Sequence, residues 1–374
     1  MTSRLAAERK VEPESRDGVG QTFYATLPAW VLRTILAVIV VLTILPALPH
    51  SALRIPGERH WGESAPESFD TILYKKVVAD IEHGKSYYEA AGSEHRRLHF
   101  PTSPPQVFRL PTLAWTLAIL HFQALQFGAL FVLYGAVLVL FYRELLAARL
   151  SFVERIGSVA ILATGISVIG LRDVLYWHEV WAAELMALSL LTYRAGRWWP
   201  SVLLGLAACL IREIATPYLL VMAGFALFEK RWTQALAWLG AVLLVGSAFA
   251  LHLHAAAGLH RPGDFVSPGW FGFHGWDFAI ATAKWNIVLH EFPYPLIALA
   301  LCLSVAGLAG AQDGRARRAA VIVAGYLTGF LVVGRPDNYY WGVLYAPLVP
   351  VGLLLAPAAL RDLLRNAFAR TKTA

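Results

Sequence analysis

Long apolar runs recur throughout this chain between residues 29 and 360. Hydrophobic residues make up 57% of the 374 residues and charged residues only 15%, far less charge than a water-soluble domain carries. A helix needs about 20 apolar residues to cross the hydrocarbon core of a bilayer, and several of the runs approach that length. The pattern predicts an all-α, polytopic transmembrane helical bundle and excludes a soluble fold.

The apolar runs predict about ten membrane spans within residues 29–360. We expect the polar segment 1–28 and the basic segment 361–374 to be cytoplasmic, and the first span to act as an uncleaved signal anchor. The predicted spans are Ala29–Pro49, Ala114–Tyr142, Ile156–Leu171, Val174–Tyr193, Pro200–Ile211, Thr216–Phe228, Thr233–Leu253, Pro293–Leu308, Ala319–Val333 and Trp341–Leu360.

The fifth and sixth predicted spans are short, and Arg212 and Glu213 lie between them. The alternative is one long helix through both. That helix would move the basic cluster 315–318 and the basic C-terminal segment to the outer face, although Lys and Arg favour the cytoplasmic side. We therefore predict two short helices that meet near Arg212, where Pro217 favours a break, with both termini in the cytoplasm.

Two long segments, residues 50–113 and 255–292, are predicted on the outer face, whereas the cytoplasmic connections are short. Function is therefore expected on the outer face. In the first segment, apolar residues recur at three- to four-residue spacing, which predicts an amphipathic helix that begins near Ser68 or Asp70 and ends at Gly84. Such a helix can lie along the membrane surface with its apolar face down.

The order of residues in the first outer segment is more specific than any one of them. An acidic residue is followed four positions later by a tyrosine, then by a glycine and a pair of tyrosines, and a proline-rich stretch leads into the second span. These features are Asp70, Tyr74, Gly84, Tyr87, Tyr88, the stretch 99–105 and Arg109-Leu110-Pro111.

This order resembles the bacterial branch of the GT-C-type glycosyltransferases, which carry a D-x-x-x-Y…G-x-x-Y first outer loop and a proline-rich return. The resemblance covers the first outer segment and, more loosely, the overall hydropathy. It implies a GT-C-like bundle and a sugar donor carried on polyprenyl phosphate. Thr71 stands where the protein O-mannosyltransferases have a second acid, so the resemblance implies no metal, and no other cofactor is expected.

The resemblance implies that Asp70 is the catalytic base. Inverting sugar transfer requires a carboxylate that takes the proton from the acceptor hydroxyl. The polyprenyl-phosphate leaving group needs cations that offset its developing charge. A plain helix N-cap is the alternative role for Asp70.

Ionisable residues near the start of the fourth span are candidates for the same site, because such residues are costly at membrane depth. Asp173 and Glu179 are possible second acids, and Arg172 and His178 are possible donor-binding residues. The alternatives are a surface ion pair between Arg172 and Asp173 and a hydrogen bond from Glu179 to another helix of the bundle.

Three further residues are predicted to bind the donor phosphate. Arg212 lies where two short helices meet, and its planar guanidinium group suits phosphate; an ion pair with Glu213 is the alternative. Arg335 and Tyr339 in the last outer turn, residues 335–341, look like the phosphate-side residues of similar transferases, although aromatic residues also form interfacial belts. The second outer segment is rich in aromatic residues that suit either sugar stacking or immersion among lipid headgroups.

The resemblance and the residues together predict a glycosyltransferase of the bacterial inner membrane. It would move a sugar from a polyprenyl-phosphate donor to a hydroxyl of a glycan, lipid or protein acceptor on the non-cytoplasmic face. The alternative is a transporter or lipid flippase, since broken helices and buried charges also suit that class. We attribute the net charge of +7 to the cytoplasmic ends of helices, so the expected partners are the donor, the acceptor and membrane lipids, and not nucleic acid.

Overall fold

The computed structural model describes residues 22–48, 69–148, 150–167 and 172–369, without the side chains of Phe69, Arg172 and Asp173. These residues form α-helices and short 3-10 helices and contain no strand. The α-helices are α1 Ala29–Ile44, α2 Phe69–Glu82, α3 Tyr87–Arg97, α4 Thr112–Leu120, α5 Gln123–Leu146, α6 Phe152–Gly165, α7 His178–Thr192, α8 Trp199–Ile211, α9 Thr216–Phe228, α10 Trp232–Ala257, α11 Gly275–Thr282, α12 Tyr294–Gly310, α13 Gly314–Gly329 and α14 Leu348–Ala367.

Several of these helices can cross a membrane. By length and composition, three helices in the described part of the chain qualify: Ala29–Ala47, α5 and α10. A fourth is added if the 3-10 helix Pro336–Leu344 and α14, which meet at 68°, form one broken span. Helices α8 and α12 and the stretch Glu213–Phe228 are apolar but shorter. The count of about ten spans therefore stays a prediction.

Three predicted spans are not single helices. In Val174–Tyr193, the first three residues belong to the 3-10 helix Arg172–Tyr176, and α7 begins only at His178. The prediction of one continuous helix over Ala114–Tyr142 is wrong, because α4 ends at Leu120 and His121 has a φ of 55°, in the left-handed region. The prediction of a regular helix from Trp341 is also wrong. Residues 336–344 form a 3-10 helix, and α14 begins only at Leu348.

Helix α7 is the centre of the bundle and packs against α5 and α8. All of its residues from His178 to Leu190 are buried, which agrees with an apolar helix surrounded by other helices rather than by lipid. Helices α12 and α14 approach each other most closely at Gly307, where an added Cβ would lie 2.1 Å from the carbonyl oxygen of Gly352. Small residues at such a crossing let two backbones come into contact.

The first outer segment contains the predicted amphipathic helix, α2. The helix ends at Glu82, and Gly84 follows with a φ of +92°, which a glycine adopts without steric cost. The expectation that its apolar face lies on the membrane is wrong, because Leu73 and Val77 are buried and α2 packs against α3 and α4. Asp70 lies inside the helix and is not its N-cap.

The two outer segments are joined by polar contacts. Thr102 Oγ1 donates to Asp264 Oδ2 at 2.9 Å and lies 2.8 Å from a ring nitrogen of His260. The Ser267 amide donates to the Ser103 carbonyl at 2.7 Å, and Arg96 Nη1 donates to Asp264 Oδ2 at 3.4 Å. These contacts hold the proline-rich return in place and fix the residues that follow it.

Candidate functional site

Five sequence-distant parts of the chain meet at the outer-segment end of the bundle. They are the start of α2, the return before α4, the start of α7, the break between α8 and α9, and the 3-10 helix at residues 336–344. Each part brings polar side chains to this end, because each is a helix start or a connection rather than a helix interior. The charged residues that meet are Asp70, Arg109, Glu179, Arg212, Glu213 and Asp337.

Arg212 is the innermost residue of this cluster. Its side chain has 0% exposure, and its Nε donates to Glu179 Oε1 at 2.5 Å. Its Nη1 donates to Glu213 Oε1, and its guanidinium carbon lies 5.7 Å from the centre of the Trp341 ring. Two carboxylates and one aromatic face therefore compensate a cation that would otherwise be very costly to bury.

The break between α8 and α9 presents Arg212 to its partners. Helix α8 ends at Ile211, and Arg212 has an extended backbone with φ −141° and ψ 107°. The helical path resumes at Glu213, with Pro217 in the first turn of α9. A proline is tolerated there because the backbone N–H groups of the first turn have no partner within the helix. The predicted meeting of two short helices near Arg212 is confirmed.

Arg109 continues the row of charges towards the surface. Its Nη1 forms a 3.8 Å ion pair with Glu213 Oε1, its Nε donates to the Tyr74 hydroxyl at 3.1 Å, and its Nη2 donates to the Tyr340 hydroxyl at 3.3 Å. The signs alternate along Glu179, Arg212, Glu213 and Arg109. Arg109 is the more accessible arginine, with 12% side-chain exposure, and the distance from its Nη1 to Glu213 exceeds that of a hydrogen bond.

Asp70 lies within the electrostatic field of this row. Burial raises the pKa of the Asp70 carboxyl above its ordinary value, and the positive charge of Arg109 acts against that rise. The negative charges of Glu179 and Asp337 add to the rise, while Arg212 opposes it. The Asp70 carboxylate is therefore a stronger base than an exposed aspartate. A raised pKa of this kind suits a residue that accepts a proton during catalysis.

Tyr74 connects Asp70's helix to the arginines. It lies one helical turn after Asp70 on α2, and burial raises the pKa of its phenol to about 12. The ring contacts His178 edge-on, with centroids 4.9 Å apart. His178 is buried at the first position of α7, so it packs beside the charged row without joining it.

An aromatic cluster borders the charged row. Trp177 contacts Trp285 edge-on at 5.0 Å and lies 6.0 Å from Tyr340, and Trp285 stacks on Tyr339 at 5.2 Å. The Trp177 indole donates to Thr71 Oγ1 at 3.0 Å. The cluster, Trp177, Trp285, Tyr339 and Tyr340, thus joins the second outer segment to the last outer turn and to α2.

Arg335 stands apart from Arg109 and Arg212. Its Nη2 donates to Asp337 Oδ2 at 3.0 Å, and its Nη1 donates to Ser267 Oγ at 3.2 Å. Its guanidinium group lies 5.7 Å from the centre of the Trp270 ring. Arg335 therefore ties the last outer turn to the second outer segment, and it reaches the charged row only through Asp337, which acts on Asp70.

The predicted residues divide into four groups. Asp70, Glu179 and Arg212 belong to one charged cluster, and His178 and Tyr339 line its border. Arg335 lies next to it. The side chains of Arg172 and Asp173 lie outside the described residues, so their predicted roles stay predictions; their backbone belongs to the 3-10 helix Arg172–Tyr176.

Sequence reasoning missed Arg109 and Trp341 as members of the cluster, whereas the ion pair between Arg212 and Glu213, considered as an alternative, is present. Arg109 carries a usable signal: it is a cation between Phe108 and Leu110, both of them buried, at the entry to an apolar helix. A charge in such a place needs a partner. Trp341 carries no such signal, because tryptophan at a helix end is also typical of an interfacial belt.

Some hydrogen-bonding capacity in the cluster is unused. Within the described part of the chain, Arg212 Nη2, Glu213 Oε2 and Trp341 Nε1 are buried without a hydrogen-bond partner. Such atoms cost about 1–3 kcal/mol each when they stay unsatisfied. Their concentration around one arginine is typical of a functional site rather than of a structural ion pair.

Comparison with known proteins finds no relative of this chain. No family model, no curated protein and no solved structure matches the chain.

Proposed function

We propose that this protein is an integral membrane glycosyltransferase that uses a polyprenyl-phosphate sugar donor, with Asp70 as the general base. The observation that carries the proposal is the charged cluster. The Asp70 carboxyl, whose pKa is raised above its ordinary value, shares one site with Arg109, whose nearest described carboxylate oxygen, on Glu213, lies 3.8 Å away. Proton acceptance and phosphate binding are the two tasks that such a transfer requires of the protein.

In the proposed reaction, the Asp70 carboxylate takes the proton from the acceptor hydroxyl as its oxygen attacks the anomeric carbon. The bond from that carbon to the phosphate oxygen breaks, and the configuration inverts. Polyprenyl phosphate leaves with the electron pair. Its charge is offset by the guanidinium group of Arg109.

Arg109 takes the role of direct phosphate ligand in this proposal, and Arg212 becomes a positioning residue. Arg212 has no exposed surface and is held by two carboxylates, those of Glu179 and Glu213. Arg109 keeps 12% side-chain exposure, and its hydrogen bonds go to the neutral hydroxyls of Tyr74 and Tyr340 rather than to a carboxylate. Arg212 keeps Glu213 in place, and Glu213 in turn holds Arg109. The lipid donor would reach the site from the bilayer, on the non-cytoplasmic face.

The aromatic cluster suits the sugar. Aromatic faces and edges pack against the C–H groups of pyranose rings, and a buried indole N–H can donate to a sugar hydroxyl. The Trp285 Nε1 is buried without a partner among the described residues. Trp285 lies against Trp177, which is itself bonded to the helix that carries Asp70.

The test is a transfer assay with purified protein, polyprenyl-phosphate sugars and a mixture of glycan and lipid acceptors. We expect Asp70→Asn to lower turnover by about 10²–10⁴-fold, the usual contribution of a general base. Asp80→Asn is the matched control, because Asp80 lies on the same helix and, among the described residues, forms its ion pair with Lys85 near the surface. Equal turnover in Asp70→Asn and wild type would remove Asp70 as the base.

The transporter alternative predicts a different result. A flippase would move a fluorescent polyprenyl phosphate across the bilayer of proteoliposomes while transferring no sugar from any donor. That pair of results would overturn the glycosyltransferase proposal.

A further inference from the structure

A cavity opens at the end of the bundle that lies opposite the charged cluster. The cavity has a volume of about 230 Å³ and lies, open on one side, between α5, α7, α13 and α14. Helix α7 has 15 residues and rises about 1.5 Å per residue, so the cavity mouth and the cluster are roughly 20 Å apart. The walls are apolar, formed by residues such as Val137, Phe141, Leu190 and Leu348.

The mouth of this cavity carries two cations and two anions. Arg315 Nη2 donates to Glu144 Oε2 and to Asp313 Oδ2, both at 2.7 Å. Arg194 Nη2 donates to the other oxygen of Glu144. Glu144, Asp313 and Arg315 line the cavity. The mouth is thus neutral overall, but both signs of charge lie within the reach of one headgroup.

One donor at the mouth is unused. Arg315 Nη1 is buried and has no hydrogen-bond partner in the described ranges, whereas the Nε and Nη2 of the same side chain are bonded to carboxylates. A guanidinium nitrogen of this kind suits a phosphate oxygen. The carboxylates of Glu144 and Asp313 would accept hydrogen bonds from an ammonium group.

We infer that this cavity is a binding site for a phospholipid with a zwitterionic, primary-amine headgroup. The acyl chains would pack against the apolar walls, the phosphate would bind Arg315, and the ammonium group would bind Glu144 and Asp313. A choline headgroup has no N–H with which to reach the carboxylates. An anionic headgroup without an amine would place its charge next to both carboxylates, where like charges repel. The site is separate from the proposed sugar transfer.

The test is native mass spectrometry of the full chain released from nanodiscs. The discs contain equal amounts of phosphatidylethanolamine, phosphatidylcholine and phosphatidylglycerol with matched acyl chains. We expect one phosphatidylethanolamine to remain bound at least fivefold more often than either other lipid. Equal retention of all three lipids, or preferential retention of phosphatidylglycerol or phosphatidylcholine, would overturn the assignment.

A variant tests whether the lipid binds in this cavity or elsewhere on the surface. Ala316→Phe adds a ring to the cavity wall, and it should lower the retention of phosphatidylethanolamine at least fivefold. Ala250→Phe, an exposed position on α10 outside the cavity, should leave retention unchanged.

A variant of the residue that would bind the headgroup phosphate provides a second test if Ala316→Phe fails to fold. Arg315→Gln should lower the retention of phosphatidylethanolamine towards that of phosphatidylcholine. Undiminished retention in Arg315→Gln would place the lipid elsewhere.

Discussion

The buried pair of Glu179 and Arg212 gives a prediction whose size follows from the geometry. We take Glu179→Gln, which keeps the shape of the side chain and removes its charge. Losing one partner of a buried ion pair costs about 3–5 kcal/mol. Arg212 keeps its second bond, to Glu213, so we expect the free energy of unfolding to fall by about 2–3 kcal/mol, which is the size of one charge-assisted hydrogen bond.

A second glutamate on the same helix provides the control. Glu184 is as buried as Glu179, and its Oε2 has no hydrogen-bond partner among the described residues. Replacing an unpaired buried carboxyl with a neutral amide removes a desolvation cost rather than an interaction. Glu184→Gln should therefore leave the free energy of unfolding unchanged or raise it.

The assay is reversible unfolding by SDS in mixed micelles, followed by tryptophan fluorescence, because Trp341 lies against Arg212. A loss of 2–3 kcal/mol corresponds to a roughly 30- to 150-fold larger unfolding constant. If Glu179→Gln proved as stable as wild type, or if both variants lost the same stability, the pairing described for Arg212 would not contribute as argued.

Two further predictions concern the site and its support. Asp70 must be deprotonated to accept a proton, and burial raises its pKa, so transfer should fall as the pH drops through that raised pKa. The charge of Arg109 lowers the pKa of Asp70, so Arg109→Gln should move the midpoint of the pH–rate profile to higher pH. An unmoved midpoint would contradict the coupling between the two residues. Gly342→Ala would place a Cβ 2.0 Å from the Thr282 carbonyl oxygen and should lower the thermal midpoint, whereas Gly325→Ala, which meets nothing within 4 Å, should keep or raise it.

Hydropathy and residue order predict an all-helical chain with membrane-spanning helices, and they predict some local features of it. The helix predicted to begin near Ser68 or Asp70 is present as α2, Phe69–Glu82, with Gly84 just after its end, and the break at Arg212 is also present. Each depends on a local rule: apolar spacing, a glycine stop, and a charge pair that interrupts an apolar run. Local rules of this kind act over one or two helical turns, so a sequence can carry them without knowledge of the fold.

What the sequence does not predict depends on contacts between distant segments. His121 adopts a left-handed backbone between α4 and α5 although neither a glycine nor a proline marks the break. Helix α2 has an apolar face, but periodicity alone does not distinguish lipid from a covering helix. Arg109 becomes a site residue only because residues far along the chain, Glu213 and Tyr340, lie beside it.

The row of alternating charges also constrains how the chain can be made. Glu179 precedes Arg212 by 33 residues, an interval of about 2–7 s at ribosomal rates of 5–20 residues per second. A glutamate without a counter-ion on a newly synthesised apolar helix raises the free energy of moving that helix into lipid. The α7–α8 hairpin with Arg212, the residue that follows α8, is therefore the smallest unit that can leave the insertion machinery with Glu179 already paired.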